Sequence, residues 1–287
     1  MFHTGLRIWG GKFDAFRVIS KYFPKKSSRL VFIDLFAGSG VVSLNYWPHN
    51  CLINDKNSLI YSYFYVLGGA KFRELMQKYP NGENYPLWEY RAMLFDEYET
   101  EMESTVTGRQ WMEDVRDRQD LVGKAIRCTL MAVTNFNGKL FDGKFDWNIP
   151  RRIKFAYYQD FVRFVRESDV RIWNLDFREV LRRAKRWHSN PSFQYFIYAD
   201  PPYLHQGKDL YELCFEERDT RDLRSGLDKT AVDWIVSEKE SEEIRNIFDG
   251  CYFQNVEWAE QKEVLISNKP FTERAVKSGS FADWKSF

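Results

Sequence analysis

An α/β fold on a mostly parallel sheet of about seven strands, interrupted by a mainly helical insertion, is what this 287-residue sequence predicts. Three observations carry it. Residues 30–35, LVFIDL, form an apolar run of the kind buried on both faces of a parallel sheet, and a glycine turn, AGSG, follows at once. Further strand-like runs cluster late, at 170–177, 193–200, 233–239, 251–258 and 263–268. Between the early and late strands the texture turns helical, as at 87–102 and 121–136, so residues 66–156 read as an insertion into a domain made of 1–65 and 157–287.

Each early element has a local reason. The apolar run CLI at 51–53 ends in Asn54 and Asp55, and VVSLNYW between it and the first strand opens a short helix beyond the turn, giving one βαβ unit. The segment REVLRRAKR at 178–186 reads as a solvated helix face.

Composition excludes several classes. With 42 Lys and Arg against 41 Asp and Glu the net charge is +1, and 44% hydrophobic with 29% charged residues is globular, neither disordered nor fibrous. Cys51, Cys128, Cys214 and Cys251 are scattered without a C-x-x-C pair, so neither a disulfide framework nor a metal site is expected. The absence of an 18-residue apolar run and of a signal-like N-terminal core predicts a cytoplasmic protein with no membrane association. The charge is unevenly spread. Residues 89–120 carry ten acids against four bases, 139–186 thirteen bases against seven acids, and 212–242 is again acidic. The total therefore sums opposed faces, and a local cationic surface with few phosphate contacts is expected to give a shallow salt slope.

Gly38 and Gly40 let the chain turn tightly after the first strand and admit a ligand where a Cβ would clash. Ser43 stands where a third glycine of the dinucleotide fingerprint would fall, so the turn alone is equally at home in plain geometry. Asp55, at the end of the next strand, stands where a carboxylate can accept both hydroxyls of a ribose, or cap a turn.

Asp200-Pro201-Pro202-Tyr203 follows the strand FQYFIYA directly. The two prolines fix their backbone and remove both N–H groups, leaving a rigid set of acceptors beside an aromatic ring. The amino group of a nucleobase is a poor nucleophile because its lone pair is delocalised. Accepting its two hydrogens on the Asp200 carboxylate and the Pro201 carbonyl would aim that lone pair at an electrophile, with Tyr203 stacked on the base.

In order along the chain, these segments resemble the Dam-type, class alpha DNA adenine-N6 methyltransferases. Trp9-Gly10-Gly11-Lys12 is similar to the family's W/Y-x-G-G-K segment, and Asp34-Leu35-Phe36-Ala37-Gly38-Ser39-Gly40 to its D-x-F-x-G-x-G cofactor loop. Asn54-Asp55-Lys56-Asn57 resembles N-D-x-N, Asp176-Phe177 the D-F pair that meets the cofactor adenine, and residues 200–203 the D-P-P-Y tetrapeptide. The resemblance implies a Rossmann-like sheet binding S-adenosyl-L-methionine, with Lys12 near the cofactor carboxylate, and an inserted target-recognition domain. It further implies methyl transfer to N6 of an adenine flipped out of double-stranded DNA, without metal, by a monomer or weak dimer.

Within the insertion Asn135-Phe136-Asn137-Gly138 resembles the family's recognition hairpin and Asp146-Trp147-Asn148-Ile149-Pro150 its closing segment. The stretch between them is shorter than in members that read GATC and has no arginine, so the resemblance implies DNA but not that sequence. Lys139 and Lys144 suit a guanine edge or a phosphate, and Arg151 and Arg152 phosphates. Competing readings are an amino-methyltransferase acting on cytosine N4 or structured RNA, a nonenzymatic DNA-binding protein on the same fold, and a dehydrogenase, which gives no account of residues 200–203.

Overall fold

The computed structural model describes residues 1–2, 4, 6, 11–69, 84–86, 124–125, 128, 152–187, 190–204, 215–258 and 261–273. A short helix α1 (Phe16–Ile19) leads to β1 (Leu30–Asp34), α2 (Val41–Tyr46), β2 (Asn50–Asn54) and α3 (Ser58–Gly68). The strands β3 (Asn84–Pro86) and β4 (Arg152–Lys154) form a small antiparallel ladder of their own. Then come α4 (Phe155–Glu167), β5 (Asp169–Trp173), α5 (Phe177–Ala184), β6 (Gln194–Ala199), α6 (Glu217–Asp228), β7 (Asp233–Glu238), α7 (Glu242–Ile247), β8 (Tyr252–Trp258) and β9 (Gln261–Ser267).

The main sheet has seven strands in the order β5-β2-β1-β6-β7-β9-β8. The first five run parallel, and the last described strand, β9, inserts antiparallel between β7 and β8. The two-residue period of a strand sorts its side chains into two cores. Phe32, Ile53, Phe196, Tyr198, Ile235 and Leu265 face the core under α1, α2, α3 and α4. Ile33, Leu52, Ile197, Ala199, Val236 and Ile266 face the one under α5, α6 and α7. Burial on both faces is why these strands are continuously apolar in sequence.

The strand expected at 170–177 stops at Trp173. Asn174 turns its side-chain amide onto the carbonyls of Asp55 (2.8 Å) and Lys56 (2.9 Å), and Asp176 caps α5 by accepting the Arg178 N–H at 3.0 Å. α3 runs on through Gly68, past residue 65, because Tyr63, Phe64 and Leu67 belong to the first core. α6 lies inside the acidic stretch that read only as surface charge. It is started by a reciprocal pair of bonds between Glu216 and Asp219. Of the helix expected at 121–136, Lys124, Ala125 and Cys128 are described and are helical; 87–102 lies outside the described residues.

Where β1 has β2 on one side and β6 on the other, the chain changes winding direction. The carboxyl ends of these strands open into the crevice that such sheets use for ligands.

Candidate active site

The crevice has two halves. One is the turn after β1, where Gly38 (φ 50°) and Gly40 (φ 68°) adopt the left-handed conformation that makes glycine the natural choice. A Cβ on Gly40 would also lie 2.5 Å from the Phe64 ring. The Gly38 N–H donates to Asp55 Oδ2 at 2.8 Å, and the Asn57 N–H donates to Asp55 Oδ1 at 2.8 Å. Burial pushes the Asp55 carboxyl up to about 6 against these two donors. Each oxygen keeps a lone pair, so the carboxylate can still accept two hydroxyls, as a vicinal diol requires. Phe36 packs on Phe177 at 5.4 Å and Phe215 at 5.8 Å, lining this end with aromatic surface. This donor and ring set suits a nucleoside.

Asp34 and Asn54 play a different part from the one expected of cofactor ligands. Asp34 is 1% exposed, accepts the Ser43 hydroxyl at 2.7 Å beneath the turn, and is pushed up to about 7 by burial. Asn54 donates to the carbonyls of Leu35 (3.0 Å) and Leu175 (3.1 Å) and accepts from the Leu175 N–H at 3.1 Å. Both amide hydrogens are thereby used, and the side chain ties the ends of β1 and β2 to the loop after β5. Ser39 holds the N-terminal segment through its carbonyl, which accepts the Thr4 hydroxyl at 2.6 Å. The Ala37 N–H donates to the Asn54 carbonyl at 2.9 Å. Asp176, besides capping α5, pairs with Lys56 at 3.0 Å.

The other half follows β6. Asp200 Oδ1 lies 2.8 Å from Lys12 Nζ, and Lys12 also donates to the Tyr203 hydroxyl at 2.7 Å and lies 3.4 Å from Glu263 Oε1 on β9. The Tyr203 hydroxyl in turn donates a short hydrogen bond to Glu263 Oε1. Lys12 is 4% exposed and Glu263 9%. Burial works against the Lys12 charge, but the Asp200 and Glu263 carboxylates outweigh it and raise its pKa. Burial raises both carboxyls, with Lys12 opposing. Lys12 thus sits on the tetrapeptide, 4.9 Å from the centre of the Tyr203 ring. Glu238, ending β7, is a further buried carboxyl at 1% exposure. It accepts the Lys239 N–H at 2.9 Å, and burial pushes it up to about 8.

The structure therefore brings Phe36, Gly38, Gly40, Asp55, Asp176, Phe177 and residues 200–203 to the carboxyl edge of the sheet, with Lys12 of the N-terminal segment held against Asp200 and Tyr203; Gly11, next to it in sequence, is exposed. Trp9, Gly10, Asn135, Asn137, Gly138, Lys139, Lys144, Asn148 and Arg151 lie outside the described residues, and Arg152 is described only as backbone in β4. Sequence reasoning missed Glu238 and Glu263. Glu238 ends β7, the neighbour of β6, and Glu263 lies near the start of β9, one strand further on; an acid within an otherwise apolar strand run is the signal that could have found them. The basic stretch is also partly consumed internally. Arg178 bridges to Asp219 and Asp222 of α6, Arg182 and Arg183 pair with Glu179, and Arg163 stacks on Trp47 at 4.9 Å.

Among the described residues no group of His, Cys, Asp or Glu could hold a metal ion, and no helix is long and apolar enough to cross a membrane. A family model described as D12 class N6 adenine-specific DNA methyltransferase matches residues 9–264. No curated protein matches the chain.

Proposed function

The chain belongs to the D12 class N6 adenine-specific DNA methyltransferase family, and from that premise we propose that it takes the methyl group from S-adenosylmethionine and places it on an adenine turned out of duplex DNA. The residues of the crevice fit that cofactor: two spare acceptors on Asp55 for a ribose diol, glycines 38 and 40 for close approach, and Phe36 and Phe177 for an adenine ring. When bound, S-adenosylmethionine supplies an electrophilic methyl group on a cationic sulfur.

The chain's own residues supply position and electrostatics. Asp200 accepts one N6 hydrogen and the Pro201 carbonyl the other, which turns the N6 lone pair toward the crevice. Oδ1 of Asp200 is sealed from solvent beside Lys12, so the 17% exposure of the side chain lies elsewhere on the carboxyl group, where a base can reach it. Tyr203 stacks on the base, offsetting part of the few kcal/mol lost on unstacking. Lys12 keeps the Asp200 carboxylate charged and fixed. Transfer is then a direct displacement, with no covalent enzyme intermediate.

The stretch between α3 and α4 is the target-recognition insertion in this reading. We assign contacts with the bases to Asn135, Asn137, Gly138, Lys139, Lys144 and Asn148, and contacts with the phosphates to Arg151 and Arg152. The observation that carries the proposal is the placement of Asp200, on a rigid Pro-Pro turn at the switch point, directly across the β1–β6 boundary from the glycine turn.

The test is incubation with labelled S-adenosylmethionine and unmethylated DNA, followed by digestion to nucleosides. Label is expected in N6-methyldeoxyadenosine, and label in N4-methylcytosine or in RNA alone refutes the reading. Asp200→Ala is expected to lower transfer by at least about a thousandfold while leaving cofactor affinity within about threefold. Unchanged turnover would remove Asp200 from the role given to it.

A further inference from the structure

N6 of adenine becomes cationic when it takes the methyl group. The electron pair of the broken carbon–sulfur bond stays on sulfur, and N6 is left with one proton too many. That proton must pass to a base. Asp200 is the nearest base, but Lys12 at 2.8 Å stabilises its anion and favours passing the proton on.

A continuous chain of polar contacts, one ion pair followed by two hydrogen bonds, leads away from Asp200. Lys12 Nζ contacts Asp200 Oδ1 at 2.8 Å and donates to the Tyr203 hydroxyl at 2.7 Å, and the Tyr203 hydroxyl donates to Glu263 Oε1. Among the described residues Glu263 Oε2 is buried with no hydrogen-bond partner, so the far end of the chain has acceptor capacity that these residues do not use. Resting on the reading of Asp200 as the group that holds N6, we infer that Glu263 is the terminal proton acceptor of the methyl-transfer reaction, reached from Asp200 through Lys12 and Tyr203.

The step balances. N6 gives its extra proton to Asp200, and Asp200 gives it to Lys12 as Lys12 gives one to the Tyr203 oxygen and Tyr203 gives its own to Glu263. Afterwards N6 is neutral, Asp200 is again a carboxylate, Lys12 and Tyr203 are as they began, and Glu263 is protonated. The groups that set the proton affinity of Glu263 are Lys12 from the N-terminal segment, Asp200 and Tyr203 after β6, Tyr198 within β6 and Glu238 at the end of β7. Its strand neighbour Lys262 is exposed and pairs with Glu257, away from the site. Burial raises Glu263 above the ordinary carboxylate value of about 4.3, toward the range where a general base works best.

The experiment is single-turnover methylation of unmethylated duplex DNA by the full-length enzyme, saturated with S-adenosylmethionine, from about pH 5.5 to about pH 9. The parent rate is expected to rise with pH and level off as Glu263 loses its proton. Glu263→Gln keeps the size of the side chain and an acceptor for Tyr203 but takes no proton. It is expected to be at least about tenfold slower and flat with pH, with cofactor affinity within about threefold. Glu263→Asp should restore a sloping profile. Should Glu263→Gln lose cofactor binding, Tyr203→Phe breaks the chain one link earlier and carries the same expectation. A Gln variant at the parent rate, or a slower one with the parent's pH dependence, overturns the relay, the latter because lost packing would account for it. A parent enzyme that makes no N6-methyldeoxyadenosine overturns the functional reading itself, whereas a productive parent with an unaltered Gln variant overturns only the relay.

Discussion

Asp55 and Asp200 are two carboxylates on one sheet edge, and they are held by opposite means. Asp55 is fixed by the backbone N–H groups of Gly38 and Asn57, which can neither move far nor give up a proton. Asp200 is fixed by a buried ammonium that it shares with Glu263 and a tyrosine, groups that can all exchange protons. The first arrangement suits a group that must only accept hydroxyls. The second suits a group that must hold an amine and then dispose of its proton. On the proposed function, a single crevice thus divides into a backbone-built binding half and a side-chain-built chemical half.

The largest test of that division is Lys12→Met. It leaves Asp200 and Glu263 buried without their cation, so methylation should fall to background and stability should drop by about 3–5 kcal/mol in denaturant titrations. A stable, active variant would break the comparison at its stronger side. Asp55→Ala should act on the other half. KM for S-adenosylmethionine is expected to rise about 10- to 100-fold with kcat within a few-fold, and a parallel fall in kcat would show that the two halves are not separable.

The smallest effect belongs to Glu238, which lies on the chemical side and has no ion-pair partner among the described residues. Its folded pKa of about 8 stands above an unfolded value of about 4.3. Between those values the folded state holds a proton that the unfolded state lacks, so Glu238 lowers stability as pH rises through that window. Glu238→Gln should therefore raise Tm by several degrees at about pH 8 and change it little at about pH 5. Equal shifts at both would show that the carboxyl is not neutral when folded.

The outline of the crevice was legible in the sequence, because its signals are local: a glycine turn after an apolar strand, an acid closing the next strand, a Pro-Pro tetrapeptide closing another. The roles within it were less so. Asp34 and Asn54 stand inside the expected motifs yet brace the turn and the strand ends, since only their partners tell a ligand from a brace. The chemical half depends on meetings that sequence distance conceals. Lys12 reaches a hydroxyl 191 residues away. Glu263 and Glu238 each sit in a run that read as a strand, where nothing in the pattern sets the carboxyl apart. A carboxyl's burial is decided by which strand comes to lie beside it. β9 inserting between β7 and β8 is a choice that no local pattern records.

That late insertion has a kinetic consequence. Lys12 belongs to one of the earliest segments of the chain and Glu263 to its last described strand, so the chemical half exists only after the sheet has closed over a very long loop. Contacts of such high sequence separation form slowly and late. During synthesis the glycine turn, Asp55 and the strands around them can assemble while β9 is still unmade. On the roles proposed for Asp55 and Glu263, a growing chain would therefore acquire its place for the cofactor before it can act on DNA, and activity waits for the last described strand to slot home.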